Sequence, residues 1–297
     1  MKKIVFVFSL LIVVTLSARA GWYFEVKTTG EGSGGQAQND MMSSVAKTWI
    51  STDKLKSEFV ESKNPIMPVG TYIVSTNGGA TMAIVNPASK TYAPLDLAGI
   101  AGGAMKMMGG MMKISNPKVE KLLDEDGGKI LGQPVRHYKF RTSYNMDMNM
   151  VFMKTSTQIE NIQEIWSATK IEDAGSSFWK NKNTFSTGDE NFDKLIKGEM
   201  EKVKGLPLKQ ITQSRTTDQN GTVTETKMIM EVTSLKEQKI ADSEFAIPPE
   251  YTATSFMPPV STGKSSTPDG TDRKKAPVMD AKGLMDMMKK MTAPPAK

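Results

Sequence analysis

The chain has 297 residues, 38 basic and 32 acidic, with 23 Met, one His and no Cys. That excludes disulfides and thiol chemistry, and it leaves a hydrolase triad only one imidazole to draw on. The basic residues form no stripe with interleaved aromatics, so nucleic acid is a poor partner.

In chain order, "MKKIVFVFSLLIVVTLSARA" comes first. Lys2 and Lys3 precede an apolar run over 4–16, and Ala18-Arg19-Ala20 supplies small residues before a cut at Gly21. This is the pattern of a secretory signal peptide, residues 1–20. The run is too short for a comfortable membrane span. With no Cys at the cut, anchoring through a lipidated cysteine is ruled out. The expected destination is the periplasm. Removing Lys2, Lys3 and Arg19 takes the basic count from 38 to 35 against 32 acids, so the mature net charge is +3.

Residues 21–28, "GWYFEVKT", alternate as a strand: Trp22, Phe24 and Val26 on one side, Glu25 and Lys27 on the other. "GEGSGGQAQN" predicts a flexible turn or loop. Strands are expected at 42–51, 54–61, 70–76 and 80–86, with a short extended piece within 86–97, punctuated by Gly, Pro and Asn. Short connections make this an antiparallel meander, because parallel pairing needs long crossovers. Residues 98–115, with Gly102, Gly103, Gly109 and Gly110 among Ala and Met, predict a weak helix or a loop. "NPKVEKLLDED" predicts a helix over 116–124: Asn116 caps, Pro117 takes the first helical position, and Leu122 and Leu123 pack.

Strands resume at 135–143. Next comes "NMDMNMVFMK", in which Met146, Met148 and Met150 have period two and Phe152 continues their face. One or two strands follow over 158–171, offering Ile162 and Trp166 to the core. Residues 189–203 predict the best helix, with Phe192, Leu195, Ile196, Met200 and Val203 in one stripe and Gly205 as its stop. Strands at 206–216 and 222–234 close the domain around a "DQNG" turn, with Met228, Met230 and Val232 on one face. Residues 256–297 are rich in Pro, Ser, Thr and Lys and read as a disordered tail with a short Met-rich segment at 283–291. The expected fold is α+β: about ten antiparallel strands in a strongly curved sheet wrapped around two or three helices, which cover its apolar face.

The segments "QEIWSAT" (163–169), "GLPLKQ" (205–210), the hairpin and "DSEFAIPPEY" (242–251), in that order, resemble bacterial envelope domains of the lipoprotein-carrier type. They resemble in particular a family of secreted bacterial proteins described only as a domain of unknown function. The resemblance covers roughly residues 21–255. It implies an incomplete barrel closed by helices around a hydrophobic cavity, with acyl-chain carriage in some members and sensing or scaffolding in others. It supplies no catalytic residue.

Three site chemistries were weighed. An enzyme would have to rely on His137, mid-strand beside Arg136 and Lys139. Glu160 and Glu164 are four apart, which in a strand says only that they share a face. Clustered thioethers suit Cu(I), but period-two Met residues on one strand stand roughly 6–7 Å apart and cannot chelate alone. A greasy ligand fits better, because Met is flexible and polarizable. A pocket would be lined by Met105, Met108, Met112, Met146, Met148, Met150, Phe152, Met228 and Met230. The alternative is that helices fill the face and these residues are ordinary core. The expected function is thus a non-enzymatic envelope protein without a cofactor, binding a lipid or a lipoprotein acyl chain. The alternatives are a structural or protein-interaction module and, behind it, a Met-based copper protein. Oligomeric state is not legible.

Overall fold

The computed structural model describes residues 18–33, 35–79, 81–95, 112–150, 153–171, 193–195, 197–198 and 203–255. The first strand is β1 (Ala18–Gly32), followed by a short helix α1 (Gln36–Met42). A meander follows: β2 (Ser44–Ser51), β3 (Lys54–Ser62), β4 (Tyr72–Thr76), β5 (Thr81–Asn86) and β6 (Thr91–Pro94). Three long strands come next, β7 (Met112–Ile130), β8 (Gln133–Met150) and β9 (Met153–Ala168). The chain then forms β10 (Leu206–Thr217), β11 (Val223–Ala241) and the two-residue β12 (Thr252–Ala253).

All twelve strands belong to one open sheet, ordered β12-β6-β5-β4-β3-β2-β1-β11-β10-β9-β8-β7. Only β12 with β6 is parallel; every other neighbouring pair runs antiparallel. The order amounts to two meanders, β2–β6 and β7–β11, joined through β1. This corrects the expected α+β architecture. The sheet is not wrapped around two or three helices. It is a single open β-structure whose only α-helix of one turn or more, among the described residues, is α1.

The decisive difference lies at 116–124. Asn116 and Pro117 carry the signature of a helix start, yet this segment is the middle of β7. Asn116 has φ 55, and the register with β8 slips between Ser115 and Lys118 and again between Lys121 and Leu123. An irregular strand bonded to β8 along its length therefore overrides a weak local preference. Leu122, expected to pack, falls in the second irregularity and is 42% exposed. α1 is the converse case. The sequence predicts loop through Asn39 and a strand from Met42, yet 36–42 are helical, and α1 rests on β1 because Gly30 lets Met42 approach: a Cβ there would lie 2.5 Å from that of Met42. Residues 98–111, Phe192, Ile196, Met200 and the tail lie outside the described residues. Within 189–203, residues 193–195 and 197–198 are helical and Leu195 is buried.

The core has three parts. Phe24, Ile50, Val135, Ala168, Leu206, Leu208 and Val232 form the largest. Tyr138, Phe140 and Ile165 form a second, against which Val203 packs. In the third, Tyr72, Val74, Ala83 and Val85 of the first meander meet Ile240 and Phe245, with Ile247 and Tyr251 at the margin. Residues 242–251 are thus a strap over β4 and β5. Ion pairs fasten it to β3, from Lys54 to Asp242 (2.8 Å) and from Lys56 to Glu244 (2.7 Å). The Lys56 ammonium also sits over the Trp49 and Tyr72 rings, at 5.2 and 4.8 Å from their centroids.

Candidate functional site

Pairing fixes which residues share a face. Phe140, Gln163, Thr212, Met228 and Gly30 are successive register partners across β8, β9, β10, β11 and β1. Tyr138, Ile165, Gln210, Met230 and Thr28 form the next row. Because β8 and β9 pair without a slip, Met146 and Met148 fall on this same face. The face is therefore common to all four, but they do not converge. Six residues along β8 separate Met146 from the Phe140 row, and three strand spacings separate Phe140 from Met228, so the two groups stand roughly 24 Å apart. Polar Gln163, Thr212 and Gln210 lie between them. Met228 is 38% exposed.

Met112 is the register partner of Met148, and Ile114 that of Met146. Ile114 is 3% exposed, and Met146 and Met148 are half-buried. Met150 pairs in register with Met153. Met105, Met108 and Phe152 lie outside the described residues. The six described residues of the nine expected to line one pocket are thus split between a β7–β8 group and a β11 pair.

The opposite face is ionic. Its rows run His137–Trp166–Lys209–Glu231, then Lys139–Glu164–Ile211–Ile229, then Arg141–Ile162–Gln213–Lys227. Opposite charges meet across strands: Lys139 with Glu164 at 3.0 Å and Lys209 with Glu231 at 2.8 Å. At the β7 edge, on the Tyr138 face, Asp124 accepts hydrogen bonds from Lys121 and Arg136, and those two cations hold its carboxyl below the usual carboxylate range. Lys118 and Arg141 depress Glu120 in the same way.

His137 is the centre of one end of this face. Its ring stacks on Trp166 at 4.1 Å and 7°. Its Nε2 lies 3.3 Å from Glu164 and its Nδ1 3.6 Å from Glu125, and the side chain is 14% exposed. Gly127 makes the packing possible, since a Cβ there would sit 3.0 Å from the indole and 3.2 Å from the Cβ of His137. With the indole on one side and Glu125 and Glu164 near its two nitrogens, the imidazole belongs to a packed corner of the sheet. Among the described residues no group of three or more His, Asp or Glu could hold a metal ion.

Further along the same face lies a groove of about 550 Å³, lined chiefly by Glu31, Glu160, Ile162, Arg215, Glu225 and Lys227. Its ion pairs are loose: Lys227–Glu31 at 3.6 Å, Arg215–Glu225 at 3.8 Å and Arg141–Glu160 at 4.0 Å. The sequence offers Ile162 to the core and Glu160 only as a surface carboxylate, whereas both line this groove, and it does not single out Glu31, Arg215, Glu225 or Lys227 as a site. The signal was present, since charged residues alternate through 136–141, 158–164, 209–215 and 225–231, but which cation meets which anion depends on register.

Residues 36–251 match the family model described as a domain of unknown function, DUF4412. The chain belongs to that family. No curated protein matches the chain. The DUF4412 match begins at the first residue of α1 and ends at Tyr251, the last apolar contact of the strap. The segments quoted for the family resemblance have structural work inside it. In "GLPLKQ", Leu206 and Leu208 are core, Pro207 sits at a bulge, and Lys209 lies over Trp166. In "DSEFAIPPEY", Phe245, Ile247 and Tyr251 pack on the first meander. The match is to DUF4412; nothing in it extends to the lipoprotein-carrier superfamily.

Proposed function

We propose that this DUF4412 protein is exported to the periplasm and acts there without catalysis, engaging an envelope protein through the ionic face of its sheet. The observation that carries this reading is the groove of about 550 Å³ with three stretched ion pairs on the ionic face of the sheet. Exposed pairs at such distances contribute little to stability, so a partner's charges exchange with them at small cost. The N-terminal Lys2-Lys3, the apolar run over 4–16 and Ala18-Arg19-Ala20 support export. The lone His, held between two carboxylates and an indole, supports a non-enzymatic role.

A second reading is acyl-chain carriage of the lipoprotein-carrier type. What favours it is the β7–β8 group, where deeply buried Ile114 adjoins Met146 and Met148 on one face. Native mass spectrometry of the protein recovered from its host's envelope separates the two. The first reading expects a protein adduct that is lost in Arg215→Glu/Lys227→Glu and in high salt. A retained acyl lipid, unaffected by those substitutions, selects the second. An adduct-free protein that behaves the same with and without the charge reversals overturns the first.

A further inference from the structure

We propose that the loop between β3 and β4 seats in the interfacial layer of a lipid bilayer. The loop reads "KNPIMPVGT", residues 63–71. Ile66 is 58% exposed and Val69 61% exposed, the most exposed large apolar side chains among the described residues. Met41 of α1, 43% exposed, stands beside them, its carbonyl accepting a bond from the Asn64 side-chain amide.

Five of the backbone amides in this loop are already bonded within the protein. The Asn64 amide donates to Ser62 Oγ and the Ile66 amide to Asn64 Oδ1. The Met67 amide donates to the Asn64 carbonyl, Gly70 to Phe59 and Thr71 to Pro68. Pro65 and Pro68 have no N–H to satisfy. A loop with most of its donors already bonded enters an apolar layer with a smaller penalty than one that must strip water from bare amides. The same bonds and the two prolines hold it preformed, so little ordering is needed on contact.

Lipid fits this patch better than a second protein. Its three apolar side chains expose on the order of 300 Å², whereas a stable protein interface takes ~800 Å² from each partner. A bilayer sets no such minimum, because each apolar side chain partitions on its own account. The local charge is balanced: Lys63 pairs with Asp40 at 2.8 Å. Uptake therefore depends on apolar insertion and varies little with salt or anionic lipid. The inference rests on the loop alone, independent of export and of the ionic groove.

The test is flotation of the processed protein, from Gly21 onward, with two kinds of vesicle. One holds phosphatidylethanolamine in excess over phosphatidylglycerol; the other holds phosphatidylcholine alone. Ile66→Ser/Val69→Ser is expected to lower the partition coefficient by about tenfold on both, with an unchanged circular dichroism spectrum. The chain has no Cys, so Val69→Cys gives a unique site for an environment-sensitive dye, whose emission shifts to the blue when vesicles are added. The proposal is overturned if the double variant floats like the parent, if the parent does not float, or if the dye stays in water while the protein floats. A patch-dependent dimer in sedimentation velocity would assign the surface to a second copy instead.

Discussion

Gly205 offers the sharpest quantitative test of the fold. It enters β10 at φ +87, a region that side chains disfavour. A Cβ there would lie 2.4 Å from the Ala168 carbonyl oxygen, 2.7 Å from its carbon and 2.8 Å from the Thr169 Cα. All three are backbone atoms, so no rotamer change relieves them. Gly205→Ala therefore incurs about 1 kcal/mol from the backbone conformation, and about 2 kcal/mol more from forced displacement in a packed site. Gly221→Ala is the control: its φ is +80, but nothing lies within 4 Å of the added Cβ, so only the first cost applies. Urea unfolding followed by tryptophan fluorescence should separate the two variants by about 2 kcal/mol at an equal slope. If Gly205→Ala loses no more stability than Gly221→Ala, the close approach of β10 to the end of β9 is wrong.

Phe140 is 1% exposed between Tyr138 and Thr142 on β8, and Phe140→Ala is expected to lose about 3–5 kcal/mol in the same assay. Tyr23 is raised to about 12, by burial first and then by its hydrogen bond to Glu25. The folded state thus holds this proton more tightly than the unfolded state does. The stability it contributes is complete below the ordinary value of 10.0 and is lost as pH rises toward about 12. Unfolding titrations across that window should show a decline that Tyr23→Phe reduces. Asp124, depressed by Lys121 and Arg136, acts at the other end: its contribution is present above the ordinary carboxylate range and is lost as pH falls through its lowered value, and Asp124→Asn should flatten that acid limb. Lys56→Met keeps the apolar stem but removes the ammonium from Glu244 and both rings, so limited proteolysis should cut near the strap faster than in the parent.

The alternating strands were legible. Trp22, Phe24 and Val26 sit within β1, the ladder around Met146 continues β8, and the hairpin at 218–221 turns where the sequence places it. What misled was the assumption that an apolar face must be met by helices. β7 is the case in point. Its Asn116-Pro117 pair is a good helix opening in isolation, but hydrogen bonding with β8 costs only a few bulges and secures a long strand. The site was harder still. Period two correctly put the Met residues on one face, but a face of a twelve-stranded sheet is wide. Sequence spacing carries no information on which strands are neighbours, so it could not show polar Gln163 and Thr212 intervening between Phe140 and Met228. The ionic rows failed to stand out for the same reason. Lys209 and Glu231, or Lys139 and Glu164, look like ordinary solvated charges until pairing sets them opposite each other.

β1 has one consequence that reaches beyond the finished molecule. Trp22 is the register partner of Glu237, so the seam between the two meanders joins the front of the chain to a strand synthesised some two hundred residues later. A nascent chain can zip β1 to β6 early, but the outer edge of β1 has nothing to clasp until β11 arrives. Closure of so long a loop makes assembly slow. Under the export proposed above, such slowness would leave the chain time to pass a narrow translocation channel before it locks.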